Sequence, residues 1–215
     1  MTETQQAILK TLAYADVFSY PLSLKELYLF LIGKKINEKD LSTQLKGLKN
    51  IGKKQGFFCL KNQEKNFNLR QKRKKDSQAK FKIAQKVAYW LKFIPWIKMV
   101  GVTGNLAMNN AQSDDDIDLL ILTKKNRLWS TRLLAILITE ILGIRRRAGQ
   151  KEVANKICLN MFLDEVHLQI PQKEQNLFTA HEICQLKPLL SKDNFYSKFI
   201  AQNQWYQKFL PNWKP

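Results

Sequence analysis

Acidic side chains are scarce in this chain. Its 215 residues include only 18 Asp and Glu against 36 Lys and Arg, a formal net charge of +18. Cysteine is scarcer still. Cys59, Cys158 and Cys184 are widely spaced, odd in number and without a Cys-x-x-Cys pair. That excludes a disulfide framework and points to a reducing, cytoplasmic setting. The two histidines, His167 and His181, lie far apart with no ligand spacing, so both are read as structural or surface residues. There is no membrane-length apolar run. The longest, Leu133 to Ile144, is interrupted by Thr139 and Glu140 and falls short of the roughly 20 residues a span requires. The first residues, Met1 to Gln6, are polar and carry Glu3, unlike a signal peptide. A soluble protein with no membrane partner is expected.

The positive charge remains to be explained. Such an excess favours polyanionic partners, among them nucleic acid and phosphorylated substrates, although a solvated lysine-rich surface has the same composition. An apolar fraction of 45% is enough for a core, and the length fits one domain or two small ones.

The most informative stretch runs from Val100 to Leu122. An apolar strand, Ile97 to Val102, meets a tight Gly104-Asn105 turn. A polar excursion follows, and a second strand, Ile117 to Leu122, begins among carboxylates. Asp116 and Asp118 are two apart, so on a strand they point to one face. Like charges held at 4 Å repel by about 4 kcal/mol at an effective dielectric of 20. A divalent cation between them removes that cost, and Mg²⁺ takes one or two carboxylates together with substrate phosphates.

Before this stretch, Ala7 to Ala15 has helical spacing. Ser23 and Glu26 form a capping box for a second helix running to Ile32. Asn37 caps a third, with Leu41, Leu45 and Leu48 inward and Gly52 as its end. Phe57 to Lys61 and Asn66 to Arg70 are expected as paired strands. Three helices and a hairpin resemble a winged helix in element order. The third helix would then present Thr43, Gln44, Lys46 and Lys49 to DNA or RNA, with Arg73 near the hairpin exit meeting phosphates. A small helical docking domain is the other reading.

The basic run Arg70 to Lys82 is the expected domain boundary, read as a solvated linker or helix face. Helical spacing resumes from Phe81 to Ile94, closed by Pro95. Leu128 to Leu142 is apolar on almost every side and is expected to be a buried helix over a sheet. Arg145, Arg146 and Arg147 are read as solvated, or as contacting nucleic acid if the first domain does. Lys156 to Leu163 is a further strand placing Cys158, Asn160 and Phe162 on one face. Glu174 to Gln185 and Asp193 to Phe209 are expected as helices, the latter with an aromatic packing face. Pro211 to Pro215 looks like the start of another element, as in a shortened member of a group.

Gly104-Asn105, Ser113 and Asp116-Ile-Asp118 between two apolar strands resemble the signature of nucleotidyltransferases of the DNA polymerase beta superfamily, in particular members with minimal catalytic domains. The resemblance covers about Ile97 to Leu122. It implies transfer of a nucleoside monophosphate from an NTP to RNA, protein or a small molecule, assisted by Mg²⁺ or Mn²⁺. Asp116 and Asp118 would be the metal ligands, Gly104, Asn105, Ser113 and Arg132 the nucleotide contacts. The family usually has Ser where Asn105 stands. Its third carboxylate comes from a later strand, where this chain offers Asn160 as a neutral site residue, Asp164 as an acid at the strand end, or no third acid at all. An incomplete set would suit a nucleic-acid-binding regulator, or an antitoxin-like protein, with an inactive nucleotidyltransferase domain. The fold expected is α+β: a helical or winged-helix domain over residues 1–75, a nucleotidyltransferase-like domain with a short mixed sheet covered by helices over 76–190, and a C-terminal aromatic helix over 191–215.

Overall fold

Thr2 opens the first helix a turn earlier than the apolar spacing indicates. Its hydroxyl accepts from the Gln5 backbone N–H while the Gln5 side chain accepts from the Thr2 backbone N–H, capping α1 (Glu3–Val17) from both sides. Ser23 and Glu26 make the same reciprocal cap on α2 (Leu24–Leu29), directly after a two-residue strand, β1 (Leu22–Ser23). Asn37 caps α3 (Glu38–Lys46) through the Asp40 N–H. This helix ends at Lys46 with Gly47 as its C-cap, well before Gly52, so Lys49 lies outside it.

The computed structural model describes residues 1–215 and is α+β, with eight α-helices and two separate open sheets. No helix is long and apolar enough to cross a membrane. The chain divides into two compact units. One comprises Met1–Lys72, Gln175–Cys184 and Gln204–Pro215, the other Arg73–Glu174 and Gln185–Asn203.

In the first unit, β2 (Ile51–Lys54) and β3 (Phe57–Leu60) form an antiparallel hairpin, and β1 pairs with the other edge of β3. The hairpin loop is Gln55-Gly56, both at positive φ, the conformation of a type I′ turn. The partner of β3 is thus β2, not the expected Asn66 to Arg70. Asn66 instead begins α4 (Asn66–Leu91), which takes in the whole basic run, so that of its two readings, linker and helix face, the helix holds. Lys, Arg and Gln are good helix formers, and no Gly or Pro interrupts the sequence from Phe57 to Ile94. Arg70, the first residue of that run, is engaged within the unit. It donates to both carboxylate oxygens of Glu26, at 2.8 and 3.0 Å, and lies over the rings of Tyr20 and Phe57. Ile8, Leu12, Leu27, Leu31 and Leu41 are fully buried at the centre of this unit. The C-terminal residues belong to it. The Asn212 side chain donates to the carbonyls of Tyr28 and Lys34 and accepts from the Ile36 N–H.

The second unit holds a four-stranded mixed sheet in the order β6-β5-β4-β7. Its strands are β4 (Ile97–Val102), β5 (Ile117–Thr123), β6 (Ile157–Asp164) and β7 (Lys187–Ser191). β4 is antiparallel to β5 and β7, while β5 and β6 are parallel. β7 is absent from the sequence reading because Pro188 speaks against a strand. It is an edge strand, where a missing N–H is tolerated. Between β4 and β5 lies the one-turn α5 (Gly104–Ala107). One core joins Ala84, Val87 and Leu91 of α4 with Ile117, Leu119 and Ile121 of β5, Ile157 and Phe162 of β6, and Ala135 of α6 (Leu128–Ile141). The expected helix from Glu174 is a 3₁₀ turn, Gln172–Glu174, followed by α7 (Leu177–Gln185). The expected Asp193 to Phe209 helix is broken. α8 (Phe195–Gln202) stops at Asn203, and a 3₁₀ turn, Gln204–Lys208, follows. The fully buried Asn203 side chain donates to the Leu168 carbonyl and accepts from the Ile170 N–H, each at 2.8 Å, and this pins the break.

α6 departs most from expectation. Thr131, Ala135 and Thr139 face the sheet, but Trp129, Leu133, Leu137 and Ile141 are exposed. Four residues at i+4 spacing form one ridge along the helix. An all-round apolar sequence is therefore covered on one side only.

Candidate functional site

The site begins where β4 ends. The Thr103 N–H donates to the Asp118 carbonyl at 3.1 Å, fixing the strand end against β5. Gly104 then turns the chain at φ +63°, and a Cβ there would stand 3.2 Å from Asp118 Oδ2. The turn thus requires glycine twice over, for its backbone conformation and for room beside the carboxylate. Next to it, the Thr103 hydroxyl is buried with no hydrogen-bond partner.

The loop from Met108 to Asp116 is held by one face of α4. Arg73 donates to Asn110 Oδ1, the Ala111 N–H donates to Ser77 Oγ, and Lys80 donates to the carbonyls of Ser113 and Asp115 and to Asn155 Oδ1. Residues 73, 77 and 80 follow i, i+4, i+7 spacing, so all three project from one side of the helix. Ser77 and Lys80 are fully buried, and burial lowers the Lys80 pKa. The sequence carries this signal as a helical phase inside the basic run, hidden by the surrounding charge. Asp115 closes the loop from within, accepting from the Gln112 N–H at 2.9 Å and the Asn105 side chain at 3.3 Å.

On β5, Asp116 and Asp118 come together as their spacing requires. The third member of the cluster is Cys158: one ligand atom from each of the three lies within 4.8 Å of the others. β5 and β6 are parallel, with Asp118 opposite Cys158 in register. Burial first, and then the neighbouring Asp116 charge, raise the Asp118 pKa. Burial, followed by the hydrogen bond with Asp118, pushes the Cys158 thiol up to about 12, so it stays protonated at neutral pH. Arg146 balances the pair through an ion pair with Asp116. The other two arginines of its run, Arg145 and Arg147, both pair with Glu140; Arg147 is exposed, as expected, and Arg145 is half-buried.

The sequence reading gives neither Cys158 nor Arg146 a place in the site, and for Cys158 the reason is local. Asp118 pairs with Cys158 but Leu120 pairs with Met161, so β6 carries one extra residue between them. This bulge reverses the side-chain alternation. Phe162 falls opposite Ile121, in the core, and not on the face of Cys158. Asn160 lies at the bulge and is exposed. Asp164 is opposite Thr123, at the far end of the strand pair, where its carboxylate meets the His167 ring at 2.7 Å. Ser113 is exposed and contributes its carbonyl to Lys80. The Arg132 guanidinium lies over the Phe162 ring at 5.5 Å.

The residues read for nucleic-acid contact fall into two groups. Thr43 and Lys46 are exposed on α3, Lys49 is exposed just beyond it, and Gln44 accepts from the Thr2 hydroxyl. Arg73 is in α4, half-buried and directed to Asn110.

No protein-family model matches the chain, and no curated protein matches it. Among solved structures, a chain from the crystal structure of a toxin-antitoxin with AMP-PNP is similar over 57% of this chain and 89% of its own, at 16% identity and a TM-score of 0.31.

Proposed function

We propose that the second unit is a metal-dependent nucleotidyltransferase that moves a nucleoside monophosphate from an NTP to RNA, protein or a small-molecule acceptor. The observation that carries this reading is the convergence of Asp116 and Asp118 beside the Gly104 turn. The donor set fits a divalent cation. Two carboxylates supply charge, the thiol is protonated, and no Cβ at position 104 crowds Asp118 Oδ2, which one would approach to 3.2 Å. Asp116 and Asp118 would hold Mg²⁺ or Mn²⁺. When bound, such an ion neutralises charge on the transferred phosphoryl group and lowers the pKa of the acceptor hydroxyl. The chain's own part is positioning. Lys80 and Asp115 hold the loop that delivers Asp116, and the Gly104 turn lets the backbone come close to phosphate. The test is incubation with α-labelled NTPs, Mg²⁺ or Mn²⁺ and RNA, protein and small-molecule acceptors. Label transfer that disappears in Asp118→Ala supports the assignment, and transfer that survives it removes Asp118 from the chemistry.

A second reading has its own observation. Cys158, opposite Asp118, is where a third carboxylate would complete the set. A catalytically silent second unit would leave function with the first, read as a winged helix whose Thr43, Gln44, Lys46 and Lys49 approach DNA. Affinity for duplex DNA that falls steeply with salt supports it, and no affinity at low salt removes it.

A further inference from the structure

Three consecutive arginines divide between two tasks. The segment from Ile144 to Arg146 runs beside the start of β6. The Ile157 N–H donates to the Ile144 carbonyl at 2.7 Å, and the Arg146 N–H donates to the Ile157 carbonyl at 2.9 Å. In such an extended segment successive side chains point to opposite sides. Arg145 and Arg147 accordingly turn to Glu140, and Arg146 alone turns to the carboxylate cluster. Its backbone is pinned, but its side chain is 43% exposed. It bonds Asp116 and reaches Cys158, so it lies across the same ligand atoms that a cation would use.

We propose that Arg146 is a positioning residue that exchanges counter-ions. In the empty site its guanidinium neutralises Asp116. When a divalent ion takes that carboxylate, Arg146 turns to the phosphates of the incoming nucleotide. This inference rests on the metal and NTP reading above. The reasons are charge and geometry. Two cations do not share one carboxylate oxygen without strong repulsion. The displaced guanidinium is planar, always charged, and suited to bidentate phosphate contact. Its anchored backbone keeps it within reach. Arg146 therefore opposes metal binding alone and favours nucleotide binding once metal is present.

The two roles predict shifts of opposite sign, which a merely structural residue does not give. Calorimetry on the full chain would titrate Mn²⁺ alone, then each of the four NTPs at saturating Mn²⁺, for wild type, Arg146→Gln, Arg146→Lys and Asp118→Asn. Arg146→Gln is expected to bind Mn²⁺ about tenfold more tightly and NTP about tenfold more weakly. Arg146→Lys, which keeps the charge but not the fork, should restore the weak Mn²⁺ binding and only part of the NTP affinity. Unchanged Mn²⁺ affinity in Arg146→Gln, or a loss of both affinities, overturns the proposal while leaving the metal site standing if Asp118→Asn abolishes Mn²⁺ binding. Mn²⁺ binding that is indifferent to Asp118→Asn overturns the metal reading itself, and this inference with it.

Discussion

Lys80 Nζ lies 2.6 Å from the backbone carbonyl oxygen of Asp115, one residue before the first of the paired carboxylates. A buried ammonium on a long helix thus sets the position of a loop more than thirty residues away. Lys80→Met keeps the length of the side chain and removes the charge. It leaves the Ser113 and Asp115 carbonyls and the Asn155 amide oxygen without their donor. A loss of about 2–3 kcal/mol is expected from the unpaired acceptors, measured by urea denaturation, together with weaker Mn²⁺ binding by a disordered Asp116.

Gly104→Ala meets two penalties at once. An L-residue at φ +63° is strained, by roughly 1–2 kcal/mol, and the new methyl stands 3.2 Å from Asp118 Oδ2. Loss of Mn²⁺ affinity should exceed the loss of stability, because the methyl fills the space beside the carboxylate. Equal Mn²⁺ affinity in the variant would show that the glycine serves the turn alone.

Asp118→Asn should stabilise the metal-free protein. The raised Asp118 pKa means that the fold disfavours its ionised form. Folded protein holds this proton to higher pH than the unfolded chain does, so stability is lost as pH rises from the ordinary carboxylate range through the folded value. A neutral isostere escapes that loss. In EDTA at neutral pH the variant is expected to melt at a higher temperature than wild type. Adding Mn²⁺ should reverse the order.

Acid should weaken the first unit through His181. Burial lowers its pKa from 6.5 to about 4, and its ring stacks on Tyr14 at 4.3 Å between centroids. The unfolded chain takes up this proton below about pH 6.5 while the folded one resists until about pH 4. Stability is therefore fully present above pH 6.5 and falls as pH drops toward 4, by roughly 3 kcal/mol in all. Urea denaturation of wild type and His181→Phe across this range should give a steep dependence in the first and a flatter one in the second.

What the sequence makes legible depends on how local the cause is. The Ser23–Glu26 cap, the Asn37 cap and the strands β4 and β5 are readable because a few neighbouring residues determine each of them. The approach of Asp116 to Asp118 follows from strand alternation alone. α4 is harder, because Lys and Arg describe a solvated linker and an exposed helix face equally well, and only Ser77 and Lys80 mark the buried side. The β6 bulge has no such marker. One extra residue puts Cys158 and Phe162, expected on one face, on opposite faces, with Phe162 in the core and Cys158 beside Asp118. Arg146 is further still from view, since it reaches Asp116 only because a loop is pinned to β6.

The ridge of Trp129, Leu133, Leu137 and Ile141 on α6 has a consequence for how copies of this chain behave in concentrated solution. A charge of +18 keeps copies apart at low salt. The range of that repulsion shrinks from about 10 Å at 0.1 M salt to about 3 Å at 1 M, while attraction between apolar surfaces is not screened. Light scattering should therefore find the second virial coefficient falling as salt rises, with Leu133→Glu and Leu137→Glu flattening the curve.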